Sequence, residues 1–168
     1  MKKIIKKLIV SFCVLGVLYT PVSGYKAEAA SYDFRNAGTW ATVGYGYTTG
    51  GGFVGALQSN LWSTGMYATV GSVDEAFGSG TYNGVRQFQS KYGLGVDGVA
   101  GGQVWTKMES FTVNVDLRTR QYSNPNSSTY KTQFYTYADT HNSYVAYRLH
   151  NKSTNGVVKY GSVMWSGR

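Results

Sequence analysis

The hydrophobic period of this chain changes once, at Ser110, and that change limits the folds open to it. Before Ser110, Val54, Leu57 and Leu61 recur at i, i+3 and i+7, and Val85, Phe88 and Tyr92 repeat the spacing. Val104 and Trp105 lead to Met108 in the same way. Each set makes one apolar stripe on a short helix. Glycines punctuate the stripes at Gly50-Gly51-Gly52, at Gly93 and at Gly101-Gly102. Gly93 sits where a left-handed residue is expected to end the second helix, and Ser79 or Thr81 is expected to cap its start. After Ser110, Phe111, Val113, Val115 and Leu117 alternate with Thr112, Asn114, Asp116 and Arg118, a two-residue period that assigns Asp116 to the solvent face of a strand. Further strands are expected over Tyr130 to Tyr137, Tyr144 to Leu149 and Val157 to Trp165, separated by stretches rich in Ser, Asn, Asp and Gly. The expected fold class is therefore α+β: a small three-helix bundle followed by a small antiparallel β-sheet unit of about four strands.

The first thirty residues read differently. Four lysines fall within the first seven residues, an uncharged apolar run extends from Leu8 to Tyr19, and Ala27-Glu28-Ala29 follows. That order is a secretory signal with an A-x-A cleavage site. The run is too short for a membrane span, which needs about 20 apolar residues. The expectation is a signal peptide over residues 1–29, cleaved after Ala29, then a short lead over 30–37. The one cysteine, Cys13, lies inside the discarded segment. A chain starting at residue 30 thus has no disulfide, no thiol nucleophile and no cysteine metal ligand.

Charge divides at the same boundary as the periodicity. The full chain carries a formal +8, half of it contributed by residues 1–30. Residues 31–109 hold four basic and five acidic side chains, a net of −1, whereas residues 110–168 hold seven and two, a net of +5. Such asymmetry suggests two units with different partners.

The helical part resembles a known family. Val54-x-x-Leu57-Gln58-x-x-Leu61 is similar to the first helix of the peptidoglycan-binding type 1 domain. Val73-Asp74-Glu75-Ala76-Phe77-Gly78-x-x-Thr81-x-x-x-Val85-x-x-Phe88-Gln89 looks like its central signature. Gly93-Leu94-x-Val96-Asp97-Gly98-Val99-Ala100-Gly101-x-x-x-Trp105 matches its third block, and Trp40 to Gly46 resembles its lead-in. The resemblance covers residues 38–109. It departs at Glu75, Gly102 and Val104, where the family usually has glycine, proline and threonine, and at Gly84, where alanine is common. It implies a three-helix peptidoglycan-binding unit with a shallow groove, bordered by Tyr82, Arg86, Gln89 and Tyr92. Phe77, Phe88, Leu94, Val96 and Trp105 are expected in the core. Asp74 and Asp97 are expected to accept hydrogen bonds from nearby backbone N–H groups in their turns.

Residues 110–168 resemble no family. Arg118, Arg120, Lys131, Arg148 and Lys159, beside Tyr122, Tyr130, Tyr135, Tyr137 and Tyr160, form an expected outward face suited to an anionic polymer or a glycan. Teichoic acid is one candidate polymer and peptidoglycan another. Nucleic acid is not expected as a partner of an exported chain, and a membrane is met only during export. No cofactor or metal is expected. His141 and His150 lack the spacing of a zinc site, and Asp116 and Asp139 are the only carboxylates offered by this half to glycoside hydrolysis. The expectation is a secreted, cell-wall-associated binding protein that is not an enzyme. The alternatives are a small secreted peptidoglycan hydrolase and a wall-targeted antibacterial or effector polypeptide.

Overall fold

The computed structural model describes residues 37–38, 40–122, 129–138 and 143–163. The proposed signal peptide and nearly all of the 30–37 lead lie outside the described residues, as do Asp139 and His141. The chain is α+β. Among the described residues four helices, α1 Gly52–Ser63, α2 Tyr67–Val70, α3 Ser79–Lys91 and α4 Gly102–Glu109, precede five strands, β1 Thr112–Asn114, β2 Thr119–Tyr122, β3 Tyr130–Ala138, β4 Ser143–Asn151 and β5 Val157–Val163. All strand pairings are antiparallel and neighbours in sequence are neighbours in space, in the order β1-β2-β3-β4-β5. None of the helices among the described residues is long and apolar enough to cross a membrane.

The bundle therefore has one helix more than the apolar stripes announce. The extra one, α2, is a single turn bracketed by Gly65 (φ 91°) and Gly71 (φ 75°), too short to display a stripe. Its Val70 packs so closely on α3 that a Cβ at Gly84 would lie 2.5 Å from Val70 Cγ2. The roughly 0.5–1 kcal/mol that glycine costs a helix interior is offset there by close packing. Gly93 has the left-handed φ expected of it, 68°. The α3 cap differs: Gly78 occupies the N-cap position with no side-chain bond, and Thr81 Oγ1 instead accepts from Gln58 Nε2 at 3.0 Å.

Helix α1 is buried on nearly every side, from Val54 to Leu61, because it lies between the other helices and the sheet. Val54, Leu57 and Leu61 join Val85, Phe88, Trp105 and Met108 in the helical core. Its opposite face is a stripe of small residues. A Cβ at Gly52 would sit 1.8 Å from the Ser162 carbonyl oxygen, one at Gly55 would sit 2.1 Å from Tyr147 Oη, and Ser63 Oγ meets Thr132 Oγ1 at 2.8 Å. Absent side chains let the helix backbone rest on the strands. The sheet supplies Tyr122, Phe134, Val145, Tyr147, Leu149 and Val163 from beneath, in one buried cluster with the helical residues. Full burial of a side chain of this size contributes about 1.5–3 kcal/mol.

The alternation in β4 holds: Val145, Tyr147 and Leu149 are buried and Arg148 is exposed. That of residues 111–117 does not. Phe111 packs against the core, but Val113 and Val115 are half exposed and Leu117 is 95% exposed. Strand β1 is only three residues long, and the chain turns back where Val115 N–H donates to the Thr119 carbonyl. Val113 pairs with Gln121 on the face of the sheet turned away from α1.

Candidate functional site

Two glutamines organise the helical half. Gln58 of α1 is buried, and its Nε2 donates to Asp74 Oδ1 (2.8 Å) and to the Ala76 carbonyl (3.0 Å). Its Oε1 accepts from the N–H groups of Asp74 and Glu75. Asp74 Oδ1 in turn accepts from Ala76 N–H at 3.0 Å. Gln89 of α3 repeats the arrangement on the next loop. Its Nε2 donates to Asp97 Oδ1 (2.7 Å) and the Val99 carbonyl (3.0 Å), its Oε1 accepts from Gly98 N–H, and Asp97 Oδ1 accepts from Val99 N–H. Both aspartates act as the sequence suggests. The Gln58 amide and the Ala76 N–H hold the Asp74 carboxyl below its ordinary pKa, and the Val99 N–H and Gln89 amide do the same for Asp97. Each loop is also paired to the N-terminal arm, by Gly51 N–H to the Glu75 carbonyl and by reciprocal bonds between Val43 and Ala100.

The four residues expected at one groove border separate. Gln89 is a buried clamp, although one side of it reaches a groove of about 260 Å³ lined also by Leu94, Asp97, Gly101 and Gln103. A neighbouring hollow of about 520 Å³ shares Leu94, Gly102 and Gln103 and extends to Lys107 and Ser110. The first turn of α4 borders both, and its N-cap Gly101 makes no side-chain bond, so its first N–H groups lack a side-chain cap. Tyr82 and Arg86 lie elsewhere. Arg86 Nη1 donates to Tyr82 Oη at 3.1 Å, and Tyr45 sits 5.5 Å from the Tyr82 ring and is half exposed. Tyr92 belongs to a third place, between Phe88 and Phe111, with Lys107 5.4 Å from its ring centre. Val96, expected in the core, is 45% exposed, whereas Phe77, Phe88 and Trp105 are buried and Leu94 is partly buried against them.

The expected cationic and aromatic residues of the sheet also divide, because strand register sends neighbours to opposite faces. Tyr122 is fully buried, with its hydroxyl 2.7 Å from Thr64 Oγ1, and cannot meet a ligand on the surface. Arg120 shares its face, partly buried, and its Nε donates to Thr112 Oγ1 at 3.0 Å. Arg118 is exposed in the β1–β2 turn, where its N–H donates to Asp116 Oδ1. Asp116 is exposed, as expected, but stands in the turn rather than in a strand, and the Arg118 N–H lowers its pKa. Lys131, Tyr135 and Tyr137 lie on the outer face. The same face carries Arg148, as expected, with its guanidinium 4.6 Å from the centre of the Tyr135 ring, and brings in Tyr144, which the sequence did not single out and whose ring stacks on Tyr137 at 4.9 Å. Tyr160, opposite Arg148, is 74% exposed. Cross-strand pairing was the missing signal, since β3 and β4 align Tyr137 with Tyr144 and Gln133 with Arg148.

One contact joins the halves through chemistry as well as packing. Glu75 adopts a left-handed φ of 64°, and its Oε1 accepts from Tyr147 Oη at 2.7 Å. Burial and the neighbouring carboxylate push the Tyr147 hydroxyl far above its ordinary pKa. His150 is buried, with Nδ1 3.2 Å from the Asn155 carbonyl oxygen. Among the described residues no cluster of three or more His, Cys, Asp or Glu side chains is disposed to hold a metal.

Comparison with known proteins places the helical half. Residues 50–108 match the family described as "Putative peptidoglycan binding domain". The match begins after the Trp40 to Gly46 lead-in and ends before the sheet. Two curated relatives, both named spore cortex-lytic enzyme and both from Bacillus cereus, are 42% identical over 71 residues, covering 39% of this chain and 27% of each relative. The chain thus spans little more than a quarter of the length of these relatives. No solved structure matches.

Proposed function

We propose that this is an exported, non-catalytic protein of the bacterial cell wall, in which residues 38–109 hold peptidoglycan and residues 110–168 add contacts to anionic wall polymer or glycan. The observation that carries this reading is the family match over residues 50–108, with a groove beside its Gln89–Asp97 clamp. The uncapped first turn of α4 suits carbonyl or carboxylate groups of a wall peptide. Export rests on the lysine-rich start, the apolar run and Ala27-Glu28-Ala29. The +5 charge of residues 110–168 supports attraction to polyanions such as teichoic acid, and counterion release makes such binding fall steeply with salt.

A hydrolase reading draws on the name of the Bacillus cereus relatives, but the shared 71 residues are 27% of those proteins. The test separates the two. The exported chain should sediment with purified sacculi, more strongly when teichoic acid is retained, and high salt should remove the added increment. Sacculi turbidity should stay constant. Clearing of the suspension would favour a hydrolase, and protein left in the supernatant would reject wall binding.

A further inference from the structure

A second groove lies at the seam between the family segment and the last strand. It encloses about 460 Å³ and is lined by Trp62, Gly71, Ser72, Val73, Val158 and Lys159, a size in the range of small-ligand sites. We infer that this groove binds a carboxylate-bearing N-acetylated sugar of the wall, the unit that distinguishes peptidoglycan from a neutral chitin chain. The inference rests on the wall-binding reading and names the ligand moiety and the residues that hold it.

Its aromatic wall is fixed in advance. Trp62 Nε1 donates to the Gly71 carbonyl at 2.8 Å, and the indole is buttressed by Tyr130 at 4.9 Å and Tyr67 at 6.0 Å. A large ring held rigidly yet left only partly buried loses little entropy when a ligand stacks on it. The apolar C–H face of a pyranose fits such a ring, and Val158, 46% exposed, continues the apolar wall. The single cation in the lining is Lys159, which is paired with Leu149 across the sheet and so stands on the face turned toward the helices. Its charge reaches Asp74, whose Oδ1 is already taken by the Gln58 amide and the Ala76 N–H. The ammonium is open to a ligand carboxylate, while exposed Ser72, next to a Gly71 peptide already used by Trp62 and Tyr67, offers its own peptide groups to an acetamido substituent. An apolar ring face, one cation and exposed backbone within one hollow match an acidic amino sugar better than a neutral one.

The test titrates the whole exported chain with soluble peptidoglycan disaccharide–peptide fragments and, separately, with chitotetraose. The acidic fragments should bind more tightly. Lys159→Gln should erase that preference while leaving chitotetraose binding unchanged. Trp62→Ala should weaken both by about tenfold or more, as truncation of an anchoring aromatic does. Because Trp62→Ala also removes packing, Val158→Glu serves as the second variant: it alters an exposed position, should keep the thermal transition, and should repel the acidic fragments most. Lys159→Gln and Val158→Glu proteins that bind both ligands like the parent, while the parent still sediments with sacculi, would overturn the groove and leave wall binding intact. A parent chain that binds neither sacculi nor fragments would overturn both. Self-association abolished by Val158→Glu would assign the groove to a second copy and reject the sugar.

Discussion

The loop of residues 73–78 and the loop of residues 96–101 follow one plan, and they part company at a single position. In each, a helix glutamine bridges an aspartate carboxylate and a carbonyl two residues later, and an N–H closes back on the aspartate. In each, the residue after the aspartate is left-handed: Gly98 at φ 78° and Glu75 at φ 64°. Gly98 is needed there, since a Cβ would lie 2.1 Å from Tyr82 Cε2. Glu75 accepts the backbone strain, of order 1–2 kcal/mol for an L-residue, and gains a hydrogen bond to the buried Tyr147 hydroxyl. One loop serves only the helices; the other has been turned into a joint with the sheet. A residue that breaks a local rule is therefore the marker of a second packing partner.

Removing the clamps should break this comparison most severely. Gln58→Ala leaves Asp74, two N–H groups and a carbonyl without their partner beneath the sheet-bearing helix, and should cost about 3–5 kcal/mol in denaturant unfolding. Gln89→Ala, in the loop without a sheet above it, should cost about 2–3 kcal/mol. Equal losses would mean that the sheet adds nothing to the first loop.

Filling the joint comes next. A Cβ at Gly161 would sit 2.4 Å from Glu75 Oε1 and 2.5 Å from Tyr147 Oη, so Gly161→Ala should cost about 2–3 kcal/mol by chemical denaturation. Exchanging the distinguishing residues sharpens the contrast. Gly98→Glu drives a Cβ into the edge of the Tyr82 ring, and should cost about 2 kcal/mol. Glu75→Gly relieves strain but strands the Tyr147 hydroxyl, for a net loss of about 1 kcal/mol. A stabilising Glu75→Gly would show that strain outweighs the bond.

The smallest differences should appear on titration. Both aspartates have lowered folded pKa values, so each contributes stability above the ordinary carboxylate range that is lost as pH falls through the folded value. Both are exposed, so each contribution should stay under about 1 kcal/mol and should be similar for the two loops. Tyr147 is raised instead. Its contribution is complete below about pH 10 and is lost as pH climbs above that value. Tyr147→Phe should flatten the alkaline limb of a stability–pH curve and leave the acid limb alone.

These two loops also indicate what the sequence could disclose. Val73-Asp74-Glu75-Ala76-Phe77-Gly78 and Val96-Asp97-Gly98-Val99-Ala100-Gly101 are visibly related, and the local role of each aspartate followed from its turn. The partner glutamines lie sixteen and eight residues away, and only tertiary structure pairs them. Helix α1 was legible on one side alone. Its Val54, Leu57 and Leu61 stripe stands out, whereas Gly52, Gly55, Ser59 and Ser63 also recur at helical spacing but carry no hydrophobic signal. In the sheet, period two distinguishes the two faces of a strand without saying which is covered. That is why Tyr122, read as a surface ring, is in the core, and Leu117, on the apolar side of the alternation, is in solvent.

The joint has a consequence for how such chains can be recombined. Glu75, Tyr147, Gly55 and Gly161 form a four-part lock: two side chains meet, and two absent side chains make room. Substitutions at these positions should travel together among descendants, because a lone change leaves either a clash or an orphaned hydroxyl. A sheet of this kind transplanted onto another peptidoglycan-binding segment would dock only where the recipient carries glutamate in place of the usual glycine after its first aspartate, and glycine at the position of Gly55. In this protein the family segment is keyed to one companion, the sheet.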